Sequence, residues 1–291
     1  MTLTGKITNE ESIWGGFYKP DSHAVKNKNG IRIVVFGSAA GGQLVLESLI
    51  RFEKKYPDLI HLVGVATDDP TDLKARISLK KRIWSNYTPP ESKKLMNRII
   101  KTALQAGIPC YTGKVKTDYF RNIYSSWNPD VLIMNCFGQK LDAFLYDYPG
   151  MGAYNFHPSN LACNIGVGAQ PFQEIMHHGF NTTPITLHKV TEIIDAGPVV
   201  GISPEINIRL KEGGYPDSLI PLIVKINSIT AWMTIDLILE IIDRKAGKMN
   251  GAVTAVNYDL KIPQTIKERL LKPATNDLSE TYILPLHPKL K

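Results

Sequence analysis

Apolar and polar positions become ordered at Ile31. The run Ile31-Arg32-Ile33-Val34-Val35-Phe36 is short and β-branched. It ends in Gly37-Ser38-Ala39-Ala40-Gly41-Gly42 and gives way to helical spacing through Leu44, Leu46, Leu49 and Ile50. This order predicts strand, glycine turn and helix, the opening of a βαβ unit. A second apolar run over 62–66 follows the helix expected over 43–55, so the two strands are expected to lie parallel. Helices are then predicted over 92–106, 117–127, 141–147 and 171–178. They alternate with strands over 109–112, 129–136 and 152–157, and the run at 129–136 is apolar enough to be central. Thr186, His188 and Val190 alternate with Ile185, Leu187 and Lys189, and a turn at Ile193-Ile194-Asp195-Ala196-Gly197-Pro198 precedes Val199 to Ile202. That pattern predicts an antiparallel extension of the sheet. A long helix is predicted over 217–244, closed by Gly247, and a strand-like segment over 252–258. Residues 1–30 are polar and turn-rich, with isolated aromatics at Trp14, Phe17 and Tyr18, and read as an irregular arm.

Composition narrows the class. The chain has 291 residues, 43% of them apolar and 21% charged, which is enough to build a large core. A net charge of +7 is too mild to predict a nucleic-acid partner. The three cysteines, Cys110, Cys136 and Cys163, show no C-x-x-C spacing, so neither a disulfide framework nor a thiolate zinc site is expected. The first thirty residues carry charges and no apolar leader, and the most apolar stretch is interrupted by Lys225, Asn227, Asp236 and Glu240. The expectation is a soluble, cytoplasmic protein.

Candidate chemistry lies at two places. Glycines after a first strand let a pyrophosphate approach a helix N-terminus, but the spacing Gly-x-x-x-Gly-Gly departs from the dinucleotide fingerprint. An NAD-dependent oxidoreductase is therefore a weakened alternative. The second place is Asn155-Phe156-His157-Pro158-Ser159, where Asn155 and His157 stand two apart on a strand and share one face. Two polar side chains at a buried strand end are costly as packing and useful as a site. Asp195 stands just before a Gly-Pro turn. Singly, these three read better as a loop cap, a satisfied core histidine and a turn residue, and only their joint pattern favours a site.

Taken together, Phe137-Gly138-Gln139-Lys140-Leu141, Asn155-Phe156-His157-Pro158-Ser159 and Asp195-Ala196-Gly197-Pro198 resemble, in order and spacing, the folate-dependent formyltransferase family. That family includes glycinamide ribonucleotide transformylase, methionyl-tRNA formyltransferase and the amino-sugar formyltransferases. The resemblance spans about residues 31–258, with Asn160 and Ala162 standing where the family usually has Leu and Pro. It implies an α/β formyltransferase fold: a Rossmann-like, doubly wound, mostly parallel sheet with an antiparallel extension. It implies 10-formyltetrahydrofolate as co-substrate and no metal. Asn155 and a protonated His157 are the implied oxyanion donors, with Asp195 stabilising the imidazolium and taking the amine proton. The implied cofactor wall comprises Phe137, Gly138, Gln139, Leu141, Ile193 and Ile194.

The organisation expected from this is an arm (1–30), a catalytic domain (31–258) and a short tail (259–291). That tail is too short for the barrel that accompanies methionyl-tRNA formyltransferases, so a tRNA acceptor is disfavoured. A basic excursion over 69–90 carries Lys80, Lys81 and Arg82 beside Trp84 and Tyr87. It suits a small-molecule acceptor such as a nucleotide-linked amino sugar of surface polysaccharide biosynthesis, with cations for the pyrophosphate and rings for the base. Formyltetrahydrofolate hydrolase, glycinamide ribonucleotide formyltransferase and a non-catalytic folate-binding module are the other readings. The apolar helix over 217–244 serves either the core or a homodimer interface.

Overall fold

The computed structural model describes residues 9–12, 15–20, 30–69, 88–168, 170–249, 251–276 and 284–291. In chain order the strands are β1 (Asn9–Ser12), β2 (Gly15–Tyr18), β3 (Ile31–Gly37), β4 (Ile60–Thr67), β5 (Cys110–Gly113), β6 (Val131–Asn135) and β7 (Ala153–His157). They continue with β8 (Thr182–Thr183), β9 (Thr186–Lys189), β10 (Val199–Ile202) and β11 (Ile206–Asn207). The helices are α1 (Ala39–Lys55), α2 (Pro89–Leu95), α3 (Arg98–Gln105), α4 (Asp118–Trp127), α5 (Ala143–Asp147), α6 (Pro171–His177), α7 (Leu219–Ala246), α8 (Tyr258–Lys261) and α9 (Gln264–Leu270).

The main sheet runs β1-β2-β5-β4-β3-β6-β7-β9-β10. Its middle, from β5 to β7, is parallel, and β9 and β10 add to β7 antiparallel. The order reverses between β3 and β6, which is the doubly wound arrangement with its crevice beyond the strand C-termini. Period-two alternation splits β3 between two layers. Ile31, Ile33 and Val35 face the cluster that α1, α3 and α7 complete, whereas Val34 and Phe36 face the aromatic layer of α4 around Phe120, Tyr124 and Trp127.

Helix α7 is apolar nearly all round because it is a core helix. It is long and apolar enough to cross a membrane by composition, yet 83% of its most apolar window is buried inside the protein. The Ser218 hydroxyl caps its start by accepting from the Ile220 N–H, and Gly247 closes it. This burial commits the helix expected over 217–244 to the core.

Three elements differ from the pattern read along the chain. The arm is not irregular where it is described: β2 pairs antiparallel with β5, and β1 pairs with β2, extending the second edge of the sheet. Backbone pairing there does not need an apolar run, so hydropathy alone misses it. The single helix expected over 92–106 is two, because Asn97 adopts φ +65° between them. Asparagine tolerates that conformation, and the break lets α3 bury Ile99, Ile100 and Ala103 while α2 buries nothing. The segment over 252–258 is not a strand: it makes one backbone bond to β10, from Val256 N–H to the Val200 carbonyl, and then enters α8. Beyond it, Ile262, Ile266, Leu270 and Leu284 join the same core as α1 and α7.

Candidate active site

Strands β7 and β9 build the site from paired positions. Asn155 lies opposite His188 and His157 opposite Thr186, all on the face away from Tyr154, Phe156 and Leu187, which fill the core. Asn155 and His157 are buried at 5% and 6% exposure, so their polar atoms need partners inside the protein. The Asn155 amide donates to His188 Nε2 at 3.0 Å and to Asp195 Oδ1 at 3.3 Å. His157 Nε2 donates to the Gly166 carbonyl at 2.5 Å, leaving Nδ1 turned toward Asp195 Oδ2 at 3.6 Å. The Lys189 carbonyl lies 2.9 Å from His188 Nδ1. This fixes the proton there in the neutral ring, so Nε2 accepts from Asn155 and gains a proton to offer Asp195 Oδ1, 3.5 Å away, only on ionisation.

Asp195 reaches this point through a strained turn. It holds φ +54°, a region that disfavours residues with a Cβ, and its Oδ2 accepts from Gly168 N–H at 2.9 Å. Two residues on, a Cβ at Gly197 would stand 1.8 Å from the Lys189 carbonyl, so only glycine permits the turn to close against β9.

Burial and charge set opposite tendencies in the pair. Burial is the largest influence on Asp195 and favours the neutral acid. The His188 and His157 rings and the Gly168 N–H outweigh it and hold the carboxyl below its ordinary range. His157 is pulled below the ordinary imidazole value, first by burial, with Asp195 and the Gly166 carbonyl opposing. At rest the arrangement therefore favours an ionised Asp195 beside a neutral His157, whose Nδ1 has to take up a proton before it can donate to an oxyanion.

A cavity of about 300 Å³ opens directly over these groups. Met134, Leu141, Phe172, Val190 and Ile223 give it apolar walls, and Phe137, Gly138, Gln139 and Leu141 form one side. The Gln139 side chain does not offer its amide to the cavity. Its nitrogen donates to Asp68 Oδ1 at 2.8 Å and to the Gly113 carbonyl at 2.7 Å, and its oxygen accepts from Val115 N–H at 3.3 Å. Ile193 and Ile194 stand at the mouth, 70% and 51% exposed. Lys80, Lys81, Arg82, Trp84 and Tyr87 lie outside the described residues.

The glycine turn serves packing. Helix α1 already begins at Ala39, and Gly37 and Gly42 touch so closely that a Cβ on either would meet the other within 3 Å. The first free N–H of α1, on Ala39, is taken by the Asp69 carboxylate at 2.8 Å, where a dinucleotide would need a phosphate. Among the lining residues that the sequence does not mark as site residues are His188 and Asn227. His188 was visible only as one member of an alternating strand. Asn227 sits on the core helix α7, its oxygen accepting from Asn135 at 2.8 Å.

The chain matches the model of the family described as formyl transferase over residues 31–210. It is 31% identical over 179 residues to methionyl-tRNA formyltransferase of Thermodesulfovibrio yellowstonii, covering 59% of this chain and 54% of that protein. To the enzyme of the same name from Thermotoga neapolitana it is 32% identical over 117 residues, covering 40% of this chain and 36% of the relative. The chain thus spans about half or less of the length of these curated relatives. Among solved structures, glycinamide ribonucleotide transformylase 1 of Symbiobacterium toebii superposes with a TM-score of 0.51 at 17% identity, covering 75% of this chain and 92% of that one. A formyltetrahydrofolate deformylase of Pseudomonas syringae pv. tomato superposes with a TM-score of 0.54 at 16% identity, covering 75% and 63%. These likenesses share the fold, and the model match extends through β7, β9 and β10, which carry the site; the chain belongs to the formyl transferase family.

Proposed function

We propose that the protein transfers a formyl group from 10-formyltetrahydrofolate to the primary amine of a nucleotide-linked amino sugar. The observation that carries the transfer is the convergence of Asn155, His157 and Asp195 under one apolar-walled cavity. The cavity suits the reduced pterin and formyl end of the folate: apolar side chains wall it, and Asn155, His157 and Asp195 supply polar groups at one place on its lining.

Each residue has a distinct task. Asp195, held ionised, receives the proton that leaves the attacking amine, directly or through water. The longer of the two Asn155 bonds, the one to Asp195 Oδ1, is the one that yields, freeing an N–H for the oxyanion that develops on the formyl oxygen. One donor so placed supplies about 3 to 4 kcal/mol of transition-state stabilisation. His157, anchored at Nε2 by Gly166, turns Nδ1 toward Asp195, takes over the amine proton and hydrogen-bonds it to the oxyanion. On collapse of the intermediate the formyl carbon–N10 bond breaks and that proton passes, directly or through water, to N10 of the departing tetrahydrofolate.

The acceptor assignment rests on the residues after β4. The chain leaves that strand at Asp69, next to Asp68, whose carboxylate holds one cavity wall. Within the next eighteen residues come Lys80, Lys81, Arg82, Trp84 and Tyr87, a set suited to a pyrophosphate and a base.

Release of tetrahydrofolate, followed spectrophotometrically with a panel of nucleotide-linked amino sugars, tests the proposal. Release that depends on one of them supports it. Release with no acceptor marks a hydrolase instead, and neither turnover nor folate binding overturns the formyl-transfer reading.

A further inference from the structure

The wall of the cavity formed by Gly138 and Gln139 is held by a residue that does not touch the cavity. Asp68, fully buried at the end of β4, accepts from Gly138 N–H at 2.6 Å through Oδ2 and from the Gln139 side-chain nitrogen at 2.8 Å through Oδ1. These donors lie two strands away, because β3 separates β4 from β6. We infer that Asp68 is a positioning residue for the formyl-donor wall, acting through Gly138 and Gln139; this rests on the folate reading of the cavity.

A carboxylate suits the task because it is acceptor-only at both oxygens, and two donors converge on it. The chain is hard to hold there by other means. Cys136 leaves β6 at φ +54°, so the backbone turns out of the sheet immediately after Asn135. From that turn, Gly138 offers its N–H and Gln139 its side chain back toward the ends of β4 and β5, where Asp68, Gly113 and Val115 meet them. Asp68 is itself fixed. Its N–H donates to the Ser38 hydroxyl at 2.8 Å, and the next residue, Asp69, caps α1 and receives the Thr112 hydroxyl on its carbonyl at 2.7 Å. The wall is therefore referred to the junction where β3, β4, β5 and the start of α1 meet. An asparagine at position 68 would turn an NH₂ group toward one of the two donors and leave that donor unsatisfied.

The test uses the full chain with Asp68→Asn and, as a harsher variant, Asp68→Ala. Backbone amide exchange by mass spectrometry in Asp68→Asn, without any ligand, is expected to accelerate about tenfold over residues 136–141 while β3 and β6 keep their protection. Tetrahydrofolate affinity by calorimetry is expected to fall about tenfold, the equivalent of one charge-assisted hydrogen bond. In turnover, the KM for the formyl donor rises while kcat changes little. Unchanged exchange over 136–141, or equal acceleration in β3 and β6, overturns the inference. Failure of the wild-type chain to bind tetrahydrofolate would refute the folate reading instead, and the exchange comparison would still decide the role of Asp68.

Discussion

Asn155 and His188 face each other across β7 and β9, with the Asn155 amide nitrogen 3.0 Å from His188 Nε2. His188 thereby fixes the orientation of the amide proposed to meet the oxyanion. His188→Leu leaves a buried N–H without its partner and lets the amide rotate, so kcat is expected to fall about 10- to 100-fold while substrate KM values stay within a factor of three. Steady-state kinetics of the purified variant provides the check, and a kcat within twofold of wild type would remove His188 from the site.

His157 and Asp195 are expected to be indispensable. Asp195→Asn keeps the shape but removes the proton acceptor, and His157→Ala removes the ring. Each is expected to lower turnover by about 10³-fold or more with the fold intact. Circular dichroism and thermal melting establish the fold, and near-normal turnover in either variant refutes the mechanism.

The depressed pKa of His157 also has a stability sign. As pH falls below the ordinary imidazole value of 6.5, the unfolded chain binds a proton that the buried ring resists. Stability contributed by the neutral ring is thus present above that value and is lost as pH drops. The difference in melting temperature between wild type and His157→Ala should shift in favour of the variant from pH 7 to pH 5.

Legibility from sequence followed the kind of interaction. Strands β3, β6 and β7 and helix α7 carry their own apolar periods, so hydropathy locates them to within a few residues. Asn155 and His157 stand out because a polar pair on one face of a buried strand contradicts the pattern around it. The β1–β2 hairpin joins by backbone pairing, and Asp68 acts on a backbone N–H seventy residues away; neither leaves a periodic trace. His188 belongs to a normal alternation, and only its register opposite Asn155 distinguishes it from an outward-facing strand residue.

Gly41 illustrates a glycine whose reason is tertiary. A Cβ there would stand 2.4 Å from Cys136 Sγ and 2.6 Å from Asn227 Oδ1, inside the polar cluster under the cavity. Gly41→Ala favours the helix locally but overpacks this cluster, so a net loss of about 1 to 3 kcal/mol is expected. Denaturant titration measures it; equal or greater stability would show that Cys136 and Asn227 yield without cost.

Asp69 gives the second pH signature. Burial pushes its carboxyl up to about 7, assisted by the neighbouring Asp68 and opposed by the Ala39 N–H and the Thr67 hydroxyl. One oxygen, Oδ2, is buried with no hydrogen-bond partner. Because the folded value lies above the unfolded one of 3.8, the folded chain binds more protons between those limits, and stability falls as pH rises through that window. Above about 7 the fold carries the full penalty of an ionised, half-satisfied carboxylate. Asp69→Asn keeps an oxygen for the Ala39 N–H and removes the charge. The melting temperature of the variant relative to wild type is therefore expected to increase from pH 4 to about pH 7 and to level off above it, whereas a difference independent of pH would mean that Asp69 titrates at its ordinary value.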